Sequence, residues 1–585
     1  MKFTVVALLF YFCTPALAQE ANLEFSLDIS SSTTPTPKLF KPNIDLGGRG
    51  FHHDNSWPQN LAAKEVLDLW RKDINPVGLY RMQYNLWEIN QLAKDKVVQD
   101  KLLANYEETI KNISDAGGTV ILDIYGTPAG LGKALDKKSA PLDLSVFKAL
   151  VKDTMRYLSC EKRYNIWYEV WTAPDLDDFF IGRTQDYLNM YRAVSESAKE
   201  LGIQFKINIP IGAPSPSGWF HNSESNNILT PEKSLIYELI KFSSAEKLPL
   251  DFITWHAFSS DPKAEKEVTI YNKNMVELIR DWLTYFNFKR ETPLIIDEWN
   301  FDLDVNLLPA RKSKSYISAS YIPARIKNMF EAGLDNQIYF SLEDFGNNAE
   351  KVTRNLGAFY FDFERAQYKG GYKTAYNVFR MLNRLGPDAF SIKLEDEFVG
   401  VIATKSSEEI CMFIYNYIDP EIARNYLSRN IAGLNPSERQ SLLQIIRTGQ
   451  LEKFIDHEQD IALLRADPKV QSLLNKSQEL ADKAKEFLDA SRNLKISIKG
   501  IKNNYLYSRF TVDSSCSLNC EFKPVEEKEV SAQDLYQEEL KLSPYSVNLI
   551  ILKIKPAPPE PTPVPAPAAP LVEKEKEPIK DAAGK

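Results

Sequence analysis

Between Pro42 and Leu385 the chain alternates short apolar runs with longer stretches whose apolar residues recur at helical spacing. The short runs are NIDLGG (43–48), GLYRMQ (78–83), GTVILDIY (118–125), YNIWYEVW (164–171), QFKINIP (204–210), DFITWHAF (251–258), TPLIIDEW (292–299) and NQIYFSLEDF (336–345). Between them lie stretches such as NLAAKEVLDLWRKD, TQDYLNMYRAVSESAKELG and ISASYIPARIKNMFEAGL. Several stop at or near Gly, as helices often do. Eight strand-like runs alternating with helices predict an α/β fold, a (β/α)8 TIM barrel over 42–385. An open doubly wound sheet would want a Gly-rich phosphate loop opening a helix after an early strand. GGRGFHH is Gly-rich but does not have that form.

After Leu385 the rhythm changes. VGVIATKSSEEICMFIYNY reads as two strands around a polar turn, and YSRFTVDSSCSLNCEF and SPYSVNLIILKIK as later strands. They predict an appended β-sandwich domain made of 386–419 and 495–555. ANLEFSLDIS alternates apolar and polar residues, so 19–41 is expected to join that sandwich as a strand segment. Residues 420–494 are helical in pattern, as in SERQSLLQIIRTGQLEKFI and VQSLLNKSQELADKAKEFL. This helical insertion is expected to lay its apolar stripe on the neighbouring domain. Residues 556–585 are Pro-rich and then charged, the composition of an extended, disordered tail.

At the other end Lys2 precedes VVALLFYFCTPALA, which closes on Ala16-Leu17-Ala18. That is the layout of a secretory signal peptide, residues 1–18, cut before Gln19. The run is shorter than the ~20 apolar residues a membrane span needs. No second candidate span follows, so the mature protein is expected to be exported, periplasmic or extracellular. Of the cysteines, Cys516 and Cys520 are close enough for a local disulfide in an oxidising compartment. Spacing alone leaves two free thiols open as the other reading. No histidine lies near enough for a zinc site.

Composition narrows the function. With 44% hydrophobic, 11% aromatic and 26% charged residues, the 585-residue chain is globular and long enough for two or more domains. A net charge of -8 supplies no global basic field, which argues against nucleic acid as a partner. All nine tryptophans lie between Trp57 and Trp299, inside the barrel region. Indole faces stack on the apolar faces of ring-shaped ligands, so Trp87, Trp219 and Trp299 are candidate platforms, whereas Trp167 and Trp171 read as core.

Catalytic groups of a (β/α)8 barrel sit at the C-terminal ends of its strands. The seventh run ends in Asp297-Glu298-Trp299-Asn300 and the fourth in Trp171-Thr172-Ala173-Pro174-Asp175. The sixth carries Trp255-His256-Ala257-Phe258, and the second carries Arg81. His52 and His53 follow the first, and Glu343-Asp344 close the eighth. These motifs, in this order, resemble glycoside hydrolase family 39, of the clan of retaining (β/α)8 glycosidases. The family's fourth strand usually reads like W-Y-F-E-V-W-N-E-P-[ND]-L, against WYEVWTAPDL at 167–176 here. Its sixth-strand D-F-x-x-x-H-x-[YF] is matched by DFITWHAF, its seventh-strand T-E-W-[NS] by Asp297 to Asn300, and FKINIPIGAPSPSG is similar to its fifth-strand G-P-A loop.

The resemblance implies an O-glycosyl hydrolase acting on an oligo- or polysaccharide. Two carboxyls ~5–5.5 Å apart suffice for that chemistry, so no metal or organic cofactor is implied. It also implies that Glu298 is the nucleophile and that Arg81 hydrogen-bonds this carboxylate and keeps it ionised. His256 would line the same pocket, with Trp299, Asn300, His52 and Asp344 as further substrate contacts. The family's acid/base glutamate aligns with Ala173, and the asparagine before it, which usually contacts the sugar 2-hydroxyl, with Thr172. Ala173 has no proton to give, and general acid–base catalysis is worth ~10²–10⁴-fold. Glu169 lies ~13 Å deeper along the strand and reads as structural. Asp175, Asp177, Asp178, Glu343 and Asp344 are the carboxyls that could fold back. Three readings stay open: a glycosidase with a missing or relocated acid, an inactive saccharide-binding pseudoglycosidase, and an assembly or scaffold protein of an exopolysaccharide system. The sequence identifies no protein partner.

Overall fold

All eight barrel strands form, seven of them on the apolar runs. They are β1 (Ile44–Asp45), β2 (Leu79–Asn85), β3 (Thr119–Tyr125), β4 (Ile166–Val170), β5 (Ile211–Pro214), β6 (Phe252–Phe258), β7 (Leu294–Asn300) and β8 (Asn336–Tyr339). They pair in parallel, each with the next, and β8 closes on β1 through Tyr339 and Ile44. This is a closed (β/α)8 barrel. The computed structural model describes residues 22–48, 56–74, 77–225, 227–301, 316–347, 350–354, 356–360, 371–394 and 396–556. The expected signal peptide and most of the expected tail lie outside these residues.

The fifth strand corrects the sequence reading. The sequence pattern places it in QFKINIP, but the helix Thr184–Phe205 runs into that segment and ends only at Lys206, whose left-handed backbone (φ 54°) caps it. Pairing begins where the Pro210 carbonyl accepts from the Tyr168 N–H, and the strand occupies Ile211–Pro214. Gly212 belongs there because the Phe252 ring lies against it, and a Cβ would meet that ring at 2.1 Å.

The barrel interior follows strand alternation. Leu79, Ile121, Phe252, Ile295 and Ile338 form an apolar plug, with Trp167 packed on it. Two residues further along the same strands, and therefore on the same face, stand Arg81, Asp123, Glu169 and Asp297. An apolar floor thus carries a charged layer on the side of the C-terminal strand ends.

Beyond the barrel, a three-stranded sheet and a seven-stranded sheet enclose a second core. Asn22–Asp28 pairs in parallel with Arg492–Ile501, and Thr33–Pro35 pairs with Asp388–Phe390, so the N-terminal segment contributes to both sheets. The strand Glu409–Asn416 is apolar from Ile410 to Tyr415 because both its faces are covered. Ile410, Met412 and Ile414 face the sandwich core, while Cys411, Phe413 and Tyr415 join the barrel's core. Cys516 and Cys520 form a disulfide, their Cα atoms 5.4 Å apart. Cys160 and Cys411 are free and buried.

The helical insertion differs from expectation. Its helices Ile422–Asn430, Pro436–Arg447, Gln450–Ile455 and Pro468–Asp489 close on a core of their own, built from Leu427, Leu442, Ile445, Phe454, Val470 and Leu474 among others. Among the described residues of the insertion, Ile422, Leu480 and Phe487 join the barrel's core, with Tyr426 and Ala484 packed against it. Polar contacts fix it to the loop after β6: Asn425 donates to Ser260 Oγ at 3.0 Å, and Arg429 pairs with the buried Asp261. Burial, with Asp261 alongside, pushes the neighbouring Asp419 carboxyl up to about 7. Arg429→Ala would leave Asp261 facing that group without its cation, a loss of about 3 kcal/mol. We expect faster amide exchange confined to 422–489; unchanged protection there would contradict this anchoring. Among the described residues, no helix is long and apolar enough to cross a membrane.

Candidate active site

Arg81 on β2 organises the site. Its side chain is 3% exposed and meets five carboxyl groups. Nη1 donates to Glu298 Oε1 at 2.6 Å and to Asp45 Oδ2 at 3.1 Å, and Nε donates to Glu169 Oε2 at 2.6 Å. Asp123 lies 3.5 Å from Nη2 and Asp297 lies 3.6 Å from Nε.

Two adjacent residues of one strand normally point to opposite faces. Asp297 and Glu298 both reach Arg81 because the ladder slips between β6 and β7. Trp255 faces Ile296, but His256 faces Glu298, so Asp297 is an extra residue, a bulge. Asp297 sinks to the charged layer, and Glu298 is carried to the mouth with a side chain 12% exposed.

The second side of Glu298 is polar. His256 Nε2 lies 3.6 Å from Oε1, 3.4 Å from Thr172 Oγ1 and 3.0 Å from Ser215 Oγ. Thr172 Oγ1 donates to Glu298 Oε1 at 3.5 Å. Arg81, Thr172 and His256, three residues singled out in the sequence, therefore converge on Glu298.

One guanidinium cannot neutralise five carboxylates in a dry interior. Burial, then the charge of Glu298, push Asp45 up to about 7 despite Arg81 and the Gly47 N–H. Burial likewise pushes Asp123 and Asp297 well above the usual carboxylate range, with Glu169 adding to both. These shifts favour the protonated form of the three carboxyls, which reduces repulsion around Glu298. Burial opposes the charge on Arg81, but Glu169 and Glu298 reverse this and hold it cationic.

At the end of β4, Trp171 (φ 69°) and Ala173 (φ 43°) both adopt left-handed backbone, folding the chain sharply at the mouth. The Ala173 N–H donates to the Ser215 carbonyl at 2.8 Å, and the residue is 1% exposed.

Three of the five candidate replacement carboxyls are engaged elsewhere, and two are exposed. Glu169 serves Arg81 from below. Asp175 is buried and accepts from the Ser217 N–H at 2.9 Å and from the Ser217 hydroxyl. Asp177 and Asp178 are exposed. Buried Glu343 accepts from the Ala63 N–H at 3.0 Å.

Three proposed substrate contacts are corrected. Asp344 is buried in an ion pair with Lys373 and also accepts from the Gly357 N–H. Trp299 is 0% exposed and donates from Nε1 to Gln337, so neither ring face is open to a sugar. The bulge explains this: with Asp297 and Glu298 both turned inward, the next residue points into the layer between barrel and helices. Asn300 is buried and bonds the Phe340 and Leu356 carbonyls, a structural role. Trp219 is likewise buried, and Trp87 is half-buried. His52 lies outside the described residues.

Sequence reasoning passed over Asp45, Asp123 and Ser215. A carboxylate inside an otherwise apolar strand, as in NIDLGG and TVILDIY, was the available signal for the first two. Nothing comparable marks Ser215.

A (β/α)8 barrel with an arginine-bound glutamate at the mouth of β7 has the architecture of a glycosidase-type protein. The model of glycosyl hydrolases family 39 matches residues 137–430, half of the chain. The chain belongs to this family, and it is a glycoside hydrolase-like protein with a carbohydrate ligand class. A glucosidase from Croceicoccus marinus shares the fold with a TM-score of 0.61 at 14% identity, covering 92% of this chain and 100% of that one. A GH39 enzyme from Xanthomonas axonopodis pv. citri gives 0.61 at 14%, covering 93% and 99%. A monomeric β-xylosidase from Caulobacter crescentus gives 0.57 at 15%, covering 91% and 99%. A comparison with curated protein sequences finds no match.

Proposed function

We propose that the protein is an exported retaining glycoside hydrolase in which Glu298 is the nucleophile and the usual acid/base position is occupied by Ala173. The observation that carries this reading is the convergence of Arg81, Thr172 and His256 on Glu298 at the mouth of β7. Glu298 attacks the anomeric carbon, giving a glycosyl-enzyme that water then opens. The solved structures that share its fold include a β-xylosidase and a glucosidase, so β-xylosides and β-glucosides are the first substrates to try. Export rests on Lys2 and the apolar run that closes on Ala18.

The second reading is a saccharide-binding protein with this cleft and no turnover. Ala173 favours it, together with the engagement of Asp175, Glu343 and Asp344 elsewhere. Incubation with 2-deoxy-2-fluoro β-xylosyl and β-glucosyl fluorides separates the two. The expected result is a covalent adduct on the peptide that contains Glu298, mapped by mass spectrometry. Absence of any adduct, with retained binding of oligosaccharides, would replace the hydrolase by the binding protein.

A further inference from the structure

The loops after β4 and β5 are zipped together beside Ala173. The Ala173 N–H donates to the Ser215 carbonyl at 2.8 Å, and two residues on the Ser217 N–H donates to Asp175 Oδ1 at 2.9 Å. The Ser217 hydroxyl bridges Asp175 Oδ2 and His221, whose Nδ1 lies 2.7 Å from Ser217 Oγ. Burial pushes the Asp175 carboxyl up, but hydrogen bonds from His221 and Ser217 outweigh it and hold the group below the usual carboxylate range. Asp175 is therefore an acceptor only.

That fixes the direction of the chain of hydrogen bonds. A hydroxyl has one hydrogen, and Ser217 gives it to Asp175, so toward His221 it can only accept. Nδ1 of His221 must therefore carry a proton and donate to Ser217, which leaves Nε2 as the other ring nitrogen. Nε2 makes no hydrogen bond among the described residues, and the imidazole is 26% exposed. A buried carboxylate, an oriented hydroxyl and an imidazole with one open nitrogen thus stand on the two loops that the Ala173–Ser215 hydrogen bond zips together.

We propose that His221 carries the proton-transfer role vacated at position 173, with Ser217 and Asp175 as its positioning residues. The inference rests on the reading of Glu298 as nucleophile. As the Glu298 carboxylate bonds to the anomeric carbon, the glycosidic C–O bond breaks, its electron pair stays on the departing oxygen, and that oxygen takes the proton from Nε2. In the second step water adds to the anomeric carbon and gives a proton to Nε2, while the ester bond returns its electron pair to Glu298. Atoms and charge balance without a co-reactant. His256, the other ring near Glu298, has its Nε2 among Ser215, Thr172 and Glu298 itself, which suits holding the nucleophile.

His221→Asn tests the assignment, because its amide can still donate to Ser217 but has no second ring nitrogen. On an unactivated alkyl β-glycoside, kcat/KM is expected to fall by about 10²–10⁴-fold. On the 2,4-dinitrophenyl glycoside of the same sugar, whose leaving group needs no proton, it should change by less than about 3-fold. Equal losses on both substrates, or no loss on either, would overturn the proposal. A measurement on the unmutated protein guards against a variant that does not fold. Across aryl glycosides whose leaving groups have pKa values of about 4 to 10, log kcat/KM should be nearly flat if an acid operates. A steep fall overturns the role of His221 while leaving labelling of Glu298 intact. Failure of the fluoro sugars to label Glu298 would instead remove the nucleophile reading, and this inference with it.

Discussion

Glu298→Ala is expected to reduce turnover of a dinitrophenyl β-glycoside by about 10⁴–10⁶-fold, the scale on which removal of a covalent nucleophile acts. Glu298 accepts the 2.6 Å hydrogen bond from Arg81 and is the carboxyl among the five around Arg81 whose side chain reaches the mouth. Asp45, Asp123, Glu169 and Asp297 are buried beneath it and cannot meet a sugar. Azide should restore part of the lost activity, since a small anion can enter the space left by the carboxylate and attack the anomeric carbon from the same side. The product would be a glycosyl azide of inverted configuration, identified by NMR. Turnover unchanged by the substitution, or an azide product of retained configuration, would move the nucleophile elsewhere. Binding of an unreactive oligosaccharide should change far less than turnover, because the loss is made in the transition state.

The barrel was legible in the sequence because strands buried on both faces leave predominantly apolar runs, and the helices between them show a different period. The fifth strand slipped because FKINIP alternates like a strand, while the true terminator of the preceding helix is Lys206, a residue with no sequence signature for left-handed backbone. The ends of β2, β4, β6 and β7 pointed to Arg81, Thr172, His256 and Glu298, and these do meet. Trp299 was misread for one physical reason. A single extra residue in β7 inverts the facing of everything after it, and sequence alternation does not reveal a bulge. The insertion was misread because an apolar stripe on a helix says that something covers it, not whether the partner is the neighbouring domain or the next helix. His221 was out of reach for a related reason: its partners are 4 and 46 residues away, and only the zipped loops after β4 and β5 bring them together.

Arg81→Met should destabilise the barrel by about 3–5 kcal/mol at neutral pH, the usual cost of removing one partner from a buried ion pair. The side chain is similar in length and apolar, so the loss comes from charge rather than from a cavity. The pH dependence separates this from a packing defect. In the unmutated protein Asp45 has a folded-state value of about 7, above the range of an unfolded aspartate. Such a group binds its proton more tightly when folded, so its contribution to stability is fully present in acid and is lost as pH rises toward 7. Asp123 and Asp297 are shifted in the same direction, and Arg81 pulls all three down. Without it their values climb further, and the folded state is penalised over a wider span of pH. The difference in thermal midpoint between the two proteins should therefore be largest near pH 8 and shrink toward pH 4, where the carboxyls carry protons in both. A difference independent of pH would mean that Arg81 acts through packing, and that the charged layer beneath Glu298 is not what its cation holds together.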